Sequence, residues 1–187
     1  EDMSNARQGD SVAGCSLDDA KLAIAQLARF HSSWWQHPHL SRLGWMPLKD
    51  SETSIYQQMY PDAWELLVRK AGTGMSRRLQ GIGERLRQDI PRIKTQLTKP
   101  PRTITHGDYR LDNCFLSTTS QARPLVVFDW EYCSIGRGAY DVATFINEAF
   151  QPSQRRQEEI ALLRTYHSIL VECGINDYLF DELLQDY

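Results

Sequence analysis

Residues Thr105–Asn113 read THGDYRLDN. One His, two Asp, an Arg and an Asn crowd around a single Gly. Two kinds of structure want such a set. A turn does, because short polar side chains bond their own backbone and Gly admits positive φ. A site for a cation and phosphate does as well, because carboxylate and amide oxygens are hard ligands of the kind Mg²⁺ prefers. The flanking segments bear on the choice.

Thr103–Thr105 and Cys114–Ser117 read as short strands on either side of the stretch, and TTSQARP as a turn. The apolar run LVVFDW, Leu125–Trp130, then reads as a returning strand. Asp129 ends that run, where a lone carboxylate costs free energy unless its charge is compensated. A hairpin would bring residue 129 back beside Asp108 and Asn113. Two carboxylates and one amide oxygen would then converge, hard oxygen ligands of the kind that suit Mg²⁺.

The remainder reads as helix. Ser16 followed by Asp19 is a capping-box start with Asp in place of Glu. The helix it opens is expected to run to about Trp35 and to bury Ala20, Ala23, Leu27, Phe30 and Trp34. Ser54–Lys70 is expected as one helix or two, broken near Pro61. Ser76–Leu97 carries Leu79, Ile82, Leu86, Ile90, Ile93 and Leu97 at helical spacing, weakened by Gly81, Gly83 and Pro91. Tyr140–Phe150 and Arg155–Cys173 are amphipathic, the latter through Ile160, Leu163, Tyr166 and Leu170, and YLFDELLQDY is amphipathic again. Residues 1–15 read as loop. The fold class is α+β: mainly helical, with a small β-hairpin sheet carrying the polar loops.

Composition narrows the function. The chain has 187 residues, enough for one domain or one lobe of something larger. A formal charge of −3 gives no drive toward nucleic acid or an anionic membrane surface. The cations between Arg69 and Arg102 read as a solvated helix face. Cys15, Cys114, Cys133 and Cys173 form no CxxC, which argues against a zinc or thioredoxin-like motif and suits a reducing, cytoplasmic setting. No run is long and apolar enough for a membrane span, and no signal peptide is visible. His31, His37 and His39 lack the acid or Cys that would complete a metal set. Trp34, Trp35, Trp45 and Trp64 read as core before pocket lining. Glu131, beside Asp129, reads as a surface residue or a support of the site before a catalytic one, and the loop around Asp10 reads as surface.

His-x-Asp followed by Asn five residues after the Asp is the spacing of the kinase catalytic loop, and an Asp on a later strand end matches its second metal-binding acid. HGDYRLDN, FDWE and GRGAYDVA in this order resemble the aminoglycoside phosphotransferase / choline kinase-like family, over Thr105–Ile146. EDMSNARQGD and LARFHSSWW are similar to the segments after that family's interlobe hinge. The resemblance implies the helical C-terminal lobe of a protein-kinase-like fold and ATP-dependent transfer of phosphate to a hydroxyl of a small molecule. Asp108 would be the catalytic base, Asn113 and Asp129 would hold Mg²⁺, Asp141 would anchor the loop backbone and His106 would pack it. Glu1, Asp2 and Met3 would end the hinge strand whose backbone meets the adenine of ATP.

Arg110 is a further catalytic candidate. A guanidinium two residues after the base could stabilise charge on the transferring group, or could form an ion pair with Asp112 or Glu131. The Gly-rich loop and strand Lys of a kinase are not found. In the resembled family they belong to an N-terminal lobe, so the chain is expected to be a fragment lacking that lobe, inactive or nearly so alone. Two other functions fit the same residues: a metal-dependent phosphohydrolase with water as attacker, and a non-catalytic kinase-like binding module. The acceptor is expected between the polar loops and the helical insert of residues 48–97. The sparse acids near the signature point away from cationic acceptors.

Overall fold

The computed structural model describes Met3, residues 6–117 and residues 124–187. Strand β1, Ala6–Gln8, leads to helix α1, Leu17–Trp34. Helices α2, Thr53–Ala71, and α3, Arg77–Leu97, follow as an antiparallel pair. The β segment comprises β2, Thr103–Thr105; β3, Cys114–Ser117; β4, Leu125–Val127; and β5, Ser134–Gly136. Helices α4, Ala139–Ala149; α5, Pro152–Glu172; and α6, Phe180–Asp186 complete the chain. The result is mixed helical with small antiparallel sheets, an α+β arrangement.

Two short sheets stand where one hairpin is expected. The first has the order β1-β3-β4, with Arg7 opposite Leu116 and Phe115 opposite Val126. The second pairs β2 with β5, Thr103 opposite Gly136 and Thr105 opposite Ser134. Strands β1 and β5 are not visible in the sequence. Three residues are too few to show a period-two pattern, and Ala-Arg-Gln carries none. Strand β4 ends at Val127, three residues short of the expected Trp130, because Asp129 adopts φ +63° and turns the chain out of the ladder.

Ser16 caps α1 as expected: its hydroxyl accepts from Asp19 N–H at 3.1 Å and donates to the Asp19 carboxylate at 2.7 Å. The buried stripe of α1 is Ala20, Ala23, Ile24, Leu27, Ala28 and His31. Phe30 and Trp34 are only half-buried, so the face is turned from the one expected. Val142, Phe145, Ile146 and Ala149 of α4 are buried against Leu162, Leu163, Tyr166 and Leu170 of α5, while Ile160 faces out. These residues and α1 form the main core.

Helix α2 is continuous through Pro61, and α3 through Gly81, Gly83 and Pro91. A proline removes one backbone hydrogen bond, and packing between the two helices offsets that loss. Gly83 has a packing role. A Cβ there would lie 2.1 Å from the Trp64 indole, and Tyr60 donates its hydroxyl to the Gly83 carbonyl at 2.7 Å. A Cβ at Gly81 meets only the flexible end of Arg85, at 4.0 Å. Gly83→Ala is therefore expected to destabilise by about 1–3 kcal/mol through overpacking. Gly81→Ala should stabilise by about 0.5–1 kcal/mol through helix propensity. Urea midpoints of the two variants measure the difference.

Candidate functional site

Strand β2 delivers a buried run, Thr103 to His106, into the loop. The turn at Gly107 needs glycine twice over. Its φ is +90°, and a Cβ would lie 2.0 Å from the Tyr132 carbonyl oxygen. The loop backbone is held from below by Asp141 on α4, which is fully buried. His106 N–H donates to Asp141 Oδ2 at 2.6 Å and Gly107 N–H to Oδ1 at 3.0 Å. His31 Nε2 reaches the same carboxylate at 3.2 Å, and its Nδ1 lies 2.7 Å from the Tyr166 hydroxyl. Burial alone pushes the Asp141 carboxyl up. The His31 hydrogen bond and charge and the two backbone N–H groups outweigh that, so it is held below its ordinary value.

His106 ties the loop to the end of β4. Its Nδ1 accepts from Asp108 N–H at 3.3 Å, which leaves Nε2–H to donate to the Phe128 carbonyl at 2.9 Å. Its ring lies 4.5 Å from the Trp130 ring. Tyr109 is buried and donates to the Ala23 carbonyl of α1 at 2.8 Å. The loop is therefore fixed from both sides and from beneath.

Asn113 is buried, and its Nδ2 donates at 2.9 Å to both the backbone carbonyl and the carboxylate of Asp108. That leaves Asn113 Oδ1 without a hydrogen bond among the described residues. Phe128 N–H donates to the Asn113 carbonyl at 3.1 Å, continuing the ladder in which Cys114 faces Val127. Residue 129 thus follows directly on a backbone held by both His106 and Asn113. Asp129 is exposed, so the burial cost expected at the end of that run does not arise. Its left-handed backbone is uncommon for a residue other than glycine. Among the described residues no three His, Cys, Asp or Glu side chains gather as a metal set. The candidate set here is two carboxylates and an amide.

Arg110 pairs with Asp112, Nε at 3.0 Å and a terminal nitrogen at 2.8 Å from Oδ2. Its second partner is Glu148, at 3.6 Å, rather than Glu131. Asp112 in turn accepts from the Ser11 hydroxyl. Met3 offers its carbonyl to Ala6 N–H at 2.9 Å. Glu1 and Asp2 lie outside the described residues. The rings of His37 and His39 meet edge to face with centroids 4.8 Å apart and are not joined by an acid among those residues.

Beside the loop lies a cleft lined by Lys49, Glu52, Tyr56, Lys94, Gly107, Tyr132 and their neighbours. Tyr56 and Lys94 also border a second cavity of about 440 Å³ between α2 and α3, walled by Met59, Tyr60, Leu86, Ile90, Ile93 and Tyr140. Here the α3 periodicity finds its use: Leu86 and Ile93 are part-exposed because they face this cavity instead of a closed core. Lys49, Tyr56 and Tyr140 escape sequence reasoning, since nothing local links MPLKD to a loop 58 residues away.

The model of the ecdysteroid kinase-like family matches residues 2–176, nearly the whole chain. The chain belongs to the ecdysteroid kinase-like family. That membership is consistent with the coarse fold; it does not single out the aminoglycoside phosphotransferase or choline kinase branch. This ecdysteroid kinase-like chain is also 34% identical over 82 residues to an uncharacterized protein of Synechocystis, sll1119. The match covers 41% of the chain and 22% of that protein. No helix among the described residues is long and apolar enough to cross a membrane.

Proposed function

We propose that the protein to which this chain belongs is an ATP-dependent phosphotransferase acting on a hydroxyl of a small molecule, with Asp108 as its base. The observation that carries this reading is the Asp108–Asn113 pair, joined at 2.9 Å in a loop whose backbone Asp141 holds. Asp108 would take the acceptor's proton. The acceptor oxygen would form its bond to the terminal phosphorus as the bond from that phosphorus to the bridging oxygen breaks. The electron pair would leave on the nucleoside diphosphate.

The donor set fits Mg²⁺. Among the described residues Asn113 Oδ1 carries no hydrogen bond, and exposed Asp129 is a hard carboxylate free of buried constraint. Asn113 and Asp129 would hold the ion, which would neutralise charge on the nucleotide phosphates. His106 would keep the loop packed, and Asp141 would keep its N–H groups aligned. Glu1, Asp2 and Met3 would contact adenine. The nucleotide cleft would be completed by an N-terminal lobe of the same protein.

The acceptor would enter through the cleft at Gly107 and lay its body in the cavity between α2 and α3. That cavity is almost wholly apolar, so a hydroxylated molecule with a large hydrocarbon frame fits it better than a polycation. A steroid alcohol, the class in the family's name, is one such molecule. The test is a screen of hydroxylated metabolites for ATP consumption by the full-length protein. Acceptor-dependent loss of ATP supports the reading. Phosphate release without any acceptor would point to a hydrolase, and no transfer at all to a binding module.

Arg110 enters as a brace of the loop through Asp112 and Glu148. Arg110→Ala is then expected to lower turnover less than about tenfold, as for an exposed ion pair worth under about 1 kcal/mol. A loss of about a hundredfold or more in a folded variant with unchanged nucleotide affinity would instead assign it to the transferring charge.

A further inference from the structure

Arg110, the cation nearest Asp108 in sequence, is engaged by two carboxylates, whereas Lys49 is not engaged by any among the described residues. Lys49 is 8% exposed. Its backbone is fixed to the same sheet that launches the Asp108 loop: Lys49 N–H donates to the Ile135 carbonyl at 3.0 Å, and Ile135 N–H to the Pro47 carbonyl at 2.8 Å. Its stem lies over Gly136, where an added Cβ would come 3.0 Å from Lys49 Cβ. Its ammonium sits 3.7 Å from the centre of the Tyr140 ring, and the residue lines the cleft with Tyr56, Gly107 and Tyr132. Among the described residues it has no hydrogen-bond acceptor and no carboxylate within ion-pair distance.

A buried ammonium held only by a ring face is under-compensated, since cation–π attraction replaces part of its hydration and supplies no acceptor for its protons. Burial pushes its pKa down to about 8, the charges of Asp141, Glu52 and Asp108 work against that, and Lys94 adds to the fall. The group is still mostly charged at neutral pH. Glu52 and Glu131, the acids of the cleft, are exposed and solvated by water. Lys49 is far more enclosed than these acids and its ammonium meets solvent only through the cleft, so it keeps fewer waters and an entering oxyanion gains more from it.

We propose that Lys49 is the oxyanion-binding residue on the acceptor side of Asp108, receiving the phosphate oxygens of the phosphorylated product. This rests on the phosphotransferase reading for the identity of the oxyanion, but the binding itself can be measured without turnover. The protein used is the full-length chain carrying ¹³C at lysine Cε, the probe is inorganic phosphate, and Lys49→Arg assigns the Lys49 signal by its loss. Phosphate should shift the Lys49 signal. Lys49→Met should weaken the phosphate response of the cleft tyrosines about tenfold or more, the size expected for one charge-assisted hydrogen bond, and Lys49→Arg should largely restore it.

A Lys49 signal unmoved by phosphate overturns the proposal, even if Lys49→Met fails to fold. So does a response confined to other lysines, which would mean an adventitious ion only. If Lys49 binds phosphate but the protein phosphorylates no alcohol, the subsite stands and the phosphotransferase reading falls. If an alcohol is phosphorylated while Lys49 stays silent, the reverse holds.

Discussion

Asp108→Asn in the full-length protein is expected to lower phosphoryl transfer by about 10²–10⁴-fold, the range for removing a positioned general base. Folding should survive, because Asn113 Nδ2 can still donate to the amide oxygen and to the residue 108 carbonyl, both now met at 2.9 Å. Nucleotide affinity should change little, since the proton is exchanged with the acceptor and not with ATP. Steady-state kinetics with the acceptor found by screening, alongside nucleotide binding by calorimetry, separate these quantities. Turnover within about threefold of wild type would remove Asp108 from the role of base, because no general base contributes so little.

The largest stability effect is expected at Asp141. Asp141→Ala strips the acceptor from the N–H groups of His106 and Gly107 and from His31; His106 and His31 are fully buried and Gly107 is half-buried. A buried donor left without an acceptor costs about 1–3 kcal/mol, so the loss should be about 3–5 kcal/mol in all. Asp141→Asn keeps one acceptor oxygen and should lose less. Chemical unfolding of the full-length variants gives both numbers. A loss under about 1 kcal/mol for Asp141→Ala would mean that water or another group serves the loop equally well.

The same carboxylate sets a pH dependence. Its folded-state pKa lies below its ordinary value. The unfolded chain therefore binds the proton more readily in acid. Asp141 contributes its full stabilisation above the ordinary carboxylate range and loses it as the pH falls through the depressed folded value. Wild-type stability should drop across that acid window, and the Asp141→Asn variant should lack this part of the drop.

Legibility differed by element. Ser16 and Asp19 announced the start of α1, because an N-cap is a local exchange between a side chain and a backbone N–H three residues on. The α4 face through Val142, Phe145 and Ile146 was likewise visible, since its period is fixed by helix geometry. Helix α2 was harder. Pro61 locally argues for a break, and only packing against α3 keeps the helix whole. Gly83 looked like a weakness and is the seat of the Trp64 ring, a contact across 19 residues that no local rule contains.

The candidate site divides in the same way. Asp108, Asn113 and Asp129 stand out because their spacing is a short-range property of one loop and the strand after it. His31 with Tyr166, and Lys49 over Tyr140, come from residues more than 90 positions apart. A lone His or Lys on a helix or loop gives no sign of its distant partner. By itself the sequence determined the helices with strong caps and apolar stripes, and the position of the polar loop between its strands, because these depend on neighbours within a few residues. Only the tertiary structure decided which cation is engaged by carboxylates and which faces the cleft, and that the half-exposed side of α3 borders a cavity, because charge compensation and burial depend on groups that only folding brings together.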